Sequence, residues 1–174
     1  MLFSVLLVSG CVQQQREIKE ITIPGHPQIY SFSNDLREVL KVPVSGKADM
    51  QILFLQSSSI DIVFNGTSTQ DNAYFRVVLI DMITKMQAYA SNEGKQLTFR
   101  SYYFVDSKWY NSTNGEIEKP GLGTAIWLKG PETGAEETSV RADESIITVQ
   151  GTSYKNLTLA GDRLVLVVFG IDRI

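Results

Sequence analysis

Residues 65–71 read NGTSTQD and join an apolar run at 60–64 to a long helical pattern. Where a strand's carboxyl end passes into a helix amino terminus, free backbone N–H groups and the positive dipole end favour an anion or polar ligand. Asn65, Gly66, Thr67, Ser68 and Thr69 are therefore the candidate ligand-binding residues, the site extending over 65–70. The same hydroxyls can serve simply as helix caps, since Thr67 to Gln70 has capping-box spacing. The stretch is neither GxGxxG nor a P-loop, having one glycine and no following lysine.

A second polar stretch carries Glu132, Glu136, Glu137, Asp143 and Glu144. Clustered carboxylates suit a hard cation, but the alternation of an EF-hand loop is missing, so the segment reads as a solvated acidic loop. Glycines at 130 and 134 let residues 130–137 bend over a pocket at the sheet's edge. The chain has one cysteine, Cys11, and one histidine, His26. That excludes an intrachain disulfide, a cysteine-built metal site and any site needing two imidazoles. No catalytic residue, metal site or cofactor is assigned, and His26, between Gly25 and Pro27, reads as a turn residue. Asn-x-Ser/Thr sequons occur at Asn65, Asn111 and Asn156. This composition gives roughly one by chance, so Asn111 and Asn156 are candidate glycan acceptors. A glycan on Asn65 would compete with a ligand there.

The first eleven residues, MLFSVLLVSGC, are too short to cross a bilayer: the apolar part of such a helix reaches only about 10 Å. Their length suits the apolar region of a signal peptide, with small residues before the cut. Val8-Ser9-Gly10-Cys11 resembles the lipobox of prokaryotic lipoproteins. The resemblance implies lipidation of the Cys11 thiol, removal of residues 1–10, and a membrane partner held through that lipid. No Lys or Arg precedes Cys11, a departure from the usual basic start of such segments. Residues 11–20 then form a polar tether, and 21–174 one domain.

The net charge of −3 and pI near 5.2 argue against nucleic acid as a partner. An apolar fraction of 43% places the chain among globular proteins. Residues 21–23 begin a strand, stopped by Pro24 to Pro27. Ser33 or Asn34 caps a helix at 35–40, and residues 49–56 form another whose Ile52, Leu53 and Leu55 seek the core. The clearest unit is a βαβ crossover: strand 60–64, helix 71–92 and strand 97–104. Phe75, Leu79, Met82, Met86 and Tyr89 recur at helical spacing, and Val77, Val78 and Ile80 widen that stripe, predicting a helix covered over much of its circumference. Residues 107–121 read as a polar loop and 124–128 as a short strand. A C-terminal hairpin turns at Gln150-Gly151, and the continuous apolar run 164–169 reads as a central strand. Half of the aromatics at 102–104 and 109–110 should point away from the core. The fold class is α/β, a single domain with a mixed, mostly parallel sheet.

SFSNDLREVLKVPV, SIDIVFNG, GTAIWLKGPETGA and LAGDRLVLVVFGI together resemble uncharacterised archaeal exported proteins. The resemblance implies one compact domain in an archaeal cell-surface setting and brings no activity with it. Three functional readings follow. The first is a lipid-anchored, extracytoplasmic, non-enzymatic module for binding or envelope assembly, with a possible protein partner. The second is a small polar or anionic ligand receptor using residues 65–70, and the third a hydrolase.

Overall fold

The computed structural model describes residues 16–65, 69–111 and 115–174, with the side chains of residues 69–72 left out. Cys11, Gly66, Thr67 and Ser68 lie outside the described residues. The chain forms one α/β domain. A two-stranded ribbon, β1 (Glu20–Thr22) and β2 (Ile29–Ser31), precedes α1 (Leu36–Val39), β3 (Val44–Ser45) and α2 (Lys47–Gln56). The βαβ unit follows as β4 (Ser59–Asn65), α3 (Thr69–Asn92) and β5 (Thr98–Val105). Next come β6 (Lys108–Asn111), β7 (Glu116–Ile117), β8 (Ala125–Lys129), β9 (Ser139–Asp143), β10 (Ile146–Gln150) and α4 (Tyr154–Val168).

Eight strands form one sheet in the order β3-β9-β10-β8-β4-β5-β6-β7. The strands β10, β8, β4 and β5 run parallel, and antiparallel hairpins flank them. From β4 the chain crosses through α3 to β5 on one side. It then returns through β6, β7 and residues 118–124 to β8 on the other side. Gly123 N–H donates to Asp61, whose side chain points away from the helices, so this returning strap reaches the helix-free face. A crossing in the opposite direction on the opposite face keeps the hand of the first.

Among the described residues the helices gather on one face. Ile60, Ile62 and Phe64 of β4, Ile126 and Leu128 of β8, and Ile147 and Val149 of β10 share the core with α3 and α4. Each is one residue out of step with the side chains on the far face, as strand alternation requires. Gly161 lets α4 approach α3 closely: a Cβ there would lie 3.0 Å from Met82 Sδ and Val78 Cγ1.

Several expectations need correction. Residues 164–169 are not a central strand but the end of α4 and its cap. An apolar run without periodicity suits any element buried all round, and α4 is wedged among α1, α2, α3 and the sheet. Its start is signalled upstream, where Ser153 Oγ accepts from Asn156 N–H. A hairpin is present, but not the one expected at Gln150-Gly151: β10 pairs with β9 ahead of it, through a turn at Glu144 (φ 51°), and the chain after Gly151 enters α4. Gly151 instead makes room for α4, since a Cβ would sit 2.2 Å from Leu157 N. Asp35, not Ser33 or Asn34, caps α1 by accepting from Arg37 N–H. In α2 the core residues are Met50 and Phe54, while Ile52 and Leu55 are exposed. Val77 and Ile80 are each more than 60% exposed, so α3 buries a narrower stripe than expected. The polar stretch 107–121 supplies β6 and β7, and part of the acidic loop is β9. The folded body also begins before residue 21: Ile18 and Lys19 carbonyls accept from Leu36 and Phe32 N–H groups.

Candidate functional site

The face of the sheet turned away from the helices follows from the register. One row across it runs Arg141, Thr148, Trp127, Val63, Tyr102 and Asn111. The next row, towards the carboxyl ends of the parallel strands, places Asn65 beside Phe104, and Phe104 beside Trp109. The opposite row holds Asp61, whose carboxylate is buried and takes Arg100 Nε at 2.7 Å and Nη2 at 3.0 Å. Arg100 is raised above its usual pKa by that hydrogen bond. Asp61 and Arg100 thereby fasten β4 to β5, while Gly123 fastens the strap to both.

At the carboxyl end of β8 this face deepens into a polar cleft of about 450 Å³, lined by Lys129, Glu136, Glu137, Arg141, Thr148 and Gln150. The strands set these side chains by alternation: Lys129 ends β8, Thr148 and Gln150 lie two apart on β10, and Arg141 faces Thr148 from β9. Glu137 fixes one wall. Its Oε1 accepts from Arg141 Nη2 at 2.6 Å, Ser139 Oγ at 2.9 Å and Gln150 Nε2 at 3.3 Å. The Arg141 bond, then the Ser139 bond, hold the Glu137 carboxyl below its ordinary pKa. Lys129 and Glu136 form no ion pair among the described residues, so one cation and one carboxylate remain for a ligand. The loop above is braced by a 3-10 turn at Pro131–Thr133, where Gly130 N–H donates to Thr133 Oγ1 at 2.6 Å.

This position is a topological switch point. The chain leaves β4 towards β5 and leaves β8 towards β10, so the adjacent carboxyl ends of β4 and β8 diverge. Asn65, the last residue of β4, lies there, and its Oδ1 is buried with no hydrogen-bond partner among the described residues, as is Trp127 Nε1 on the same face. Of the residues singled out from sequence, Asn65 ends β4, the strand beside β8, without lining the cleft, and Thr69 opens α3. Of the five acidic residues only Glu136 and Glu137 come together, in the cleft. Glu137 borders the cleft, whereas Asp143 and Glu144 sit at the far end of the β9–β10 hairpin. Glu132 accepts from Tyr154 Oη at 3.4 Å. Asn111 ends β6 on the helix-free face and accepts from Gly115 N–H, while Asn156 sits in the first turn of α4.

Sequence reasoning missed Lys129, Arg141, Thr148 and Gln150. Part of their signal was present as polar residues two apart in SVRAD (Ser139, Arg141, Asp143) and in IITVQ (Thr148, Gln150), the mark of a strand with one free face, whereas AIWLK shows only a terminal Lys129.

Two further polar groups lie on the helix side. His26 is a buried pin: Nδ1 meets Tyr30 Oη at 3.0 Å and Nε2 meets Glu93 at 2.9 Å, tying the β1–β2 loop to the end of α3. Asp162 of α4 is 2% exposed, accepts from Asn34 Nδ2 at 2.8 Å, and lies 3.6 Å from Lys85, which also pairs with Asp81. Burial pushes Asp162 up to about 6, although Asn34 and Lys85 oppose the shift. Among the described residues no helix is long and apolar enough to cross a membrane.

The fold and cleft define a mixed-sheet α/β domain with helices on one face and an open, polar-to-aromatic surface on the other. Comparison with protein-family models, curated proteins and solved structures returns no match.

Proposed function

We propose that this chain is an extracytoplasmic binding domain, lipid-anchored through Cys11 at an archaeal cell surface, which takes a small polar ligand in the cleft at the ends of β8 and β10. The single observation that carries the ligand reading is the cleft's composition. Among the described residues Lys129 and Glu136 form no ion pair, and they stand beside an arginine and an amide already oriented by Glu137. Such a preoriented set binds a ligand without first having to be ordered. The ligand site thus centres on residues 129–150, beside the strand that Asn65 ends. The lipobox-like VSGC and the likeness to archaeal exported proteins support the location.

A binding role fits this cleft better than hydrolysis. Glu137 is held ionised by Arg141 and has no proton to donate near neutral pH. His26, the one imidazole, is occupied on both nitrogens on the opposite side of the sheet.

The test is thermal unfolding of the protein against amino acids, nucleotides, simple anions and sugars. A bound ligand at a hundred times its Kd adds about 2.7 kcal/mol to stability, and the gain should vanish in Lys129→Gln plus Arg141→Gln. Absence of a shift with every compound refutes the ligand reading. Intact mass from native membranes tests the anchor separately: an unmodified Cys11 behind an uncleaved Met1 would refute it.

A further inference from the structure

We infer that the helix-free face binds an oligosaccharide chain, laid across β8, β4, β5 and β6 with one end in the polar cleft. The inference rests on the binding-domain reading above and specifies its ligand.

Trp127, Tyr102, Phe104 and Trp109 all point to this side and are all partly exposed. Phe104 and Trp109 form one aromatic step, with ring centroids 5.2 Å apart. Val63, between Trp127 and Tyr102, is fully buried, so the rings rise on either side of a shallow floor. Neighbouring strands are about 4.8 Å apart, so the four strands from β8 to β6 span about 14 Å. A pyranose ring is about as wide as one strand spacing, and about three rings fit that span.

A sugar has two kinds of surface, and the site offers a counterpart to each. Its C–H faces are apolar and stack on aromatic rings, whereas its hydroxyl rim both donates and accepts hydrogen bonds. Here the aromatic stretch leads into the cleft: Trp127 is the cross-strand neighbour of Thr148, and Thr148 lies opposite Arg141. The cleft's ionisable groups are Lys129 and Arg141 against Glu136 and Glu137, two of each sign. A balanced set with both donors and acceptors suits a neutral polyhydroxyl ligand better than a strongly charged one.

The same observations count against a protein partner. Strand addition needs a long free edge, and both edge strands, β3 and β7, are two residues long. The centre of a subunit interface is depleted of Lys and Glu, whereas this face leads into a cleft carrying Lys129, Glu136 and Glu137.

The chain contains two tryptophans, Trp109 and Trp127, and both lie on this face. Tryptophan emission, excited selectively over tyrosine, therefore reports on this face alone. The full protein is titrated with cello- and chito-oligosaccharides of one to six units, following tryptophan emission. The expected result is a saturable spectral change whose apparent Kd falls at least tenfold from disaccharide to tetrasaccharide and then levels off. Trp127→Ala should weaken binding about tenfold, with circular dichroism and melting temperature close to those of the parent protein. If no saccharide moves the emission while an amino acid or anion raises the melting temperature, the saccharide inference is overturned and the receptor reading stands. If nothing binds by either measurement, both fall. Emission that shifts with protein concentration alone would assign the face to a second copy and overturn the inference.

Discussion

Asp162 should make the domain more stable as the solution becomes mildly acidic. Its carboxyl lies between α3 and α4, faced by Lys85 and Asp81 from α3 and by Asn34 from the segment before α1. In the unfolded chain it titrates near 3.8, and in the folded protein at about 6. Between those values the folded state holds a proton that the unfolded state has lost, so stability rises as pH falls through about 6 and the gain is complete below about 4. Roughly two pH units at about 1.4 kcal/mol each make the ionised form cost about 3 kcal/mol at pH 7. Asp162→Asn removes the titration and keeps an acceptor for Asn34. Other carboxylates titrate too: Asp35, Glu137 and Asp172 are held below their ordinary values and lose stabilising bonds in acid. The informative quantity is therefore the difference between parent and variant. Urea unfolding of both proteins from pH 7.5 to pH 4 should show the parent gaining about 3 kcal/mol on the variant. Parallel stability profiles would refute the assignment of a raised pKa to Asp162.

Two packing predictions follow from the sheet. Gly151→Ala drives a Cβ into the backbone of α4, 2.2 Å from Leu157 N, and should cost about 3 kcal/mol in urea unfolding, whereas a change under about 1 kcal/mol would show that α4 can shift. Arg100→Ala should cost more than Asp61→Ala, roughly 3 against 1–2 kcal/mol, because the first leaves a carboxylate buried and the second leaves a guanidinium already half in water. The reverse order would refute the pairing described at β4 and β5.

What could be read from the sequence was whatever a local pattern encodes. The βαβ unit stood out because Phe75, Leu79, Met82 and Met86 keep helical spacing between two apolar runs, and the structure places them in the core. Leu164 to Val168 could not be assigned this way: burial on all sides erases the periodicity that separates a helix from a strand. β7 and β9 were equally hidden, since short edge or hairpin strands of mixed polarity look like loops until a partner gives them a register. Asn65, where the candidate loop begins, ends β4 at a switch point, but Lys129, which ends the adjacent β8, is 64 residues further along the chain. No local pattern predicts that β8 inserts next to β4, because that adjacency is set by the long return through residues 118–124.

That late insertion also orders the assembly of the domain. As the chain emerges from the amino end, β4 and β5 can pair as soon as α3 is made, yet one side of β4 must wait for β8 and β3 must wait for β9. During that interval the nascent sheet exposes an unpaired row of amides and carbonyls along its most apolar strand, inviting mispairing between chains. The final helix closes the structure last. Truncations anywhere within α4 should therefore yield aggregating chains rather than smaller folded ones.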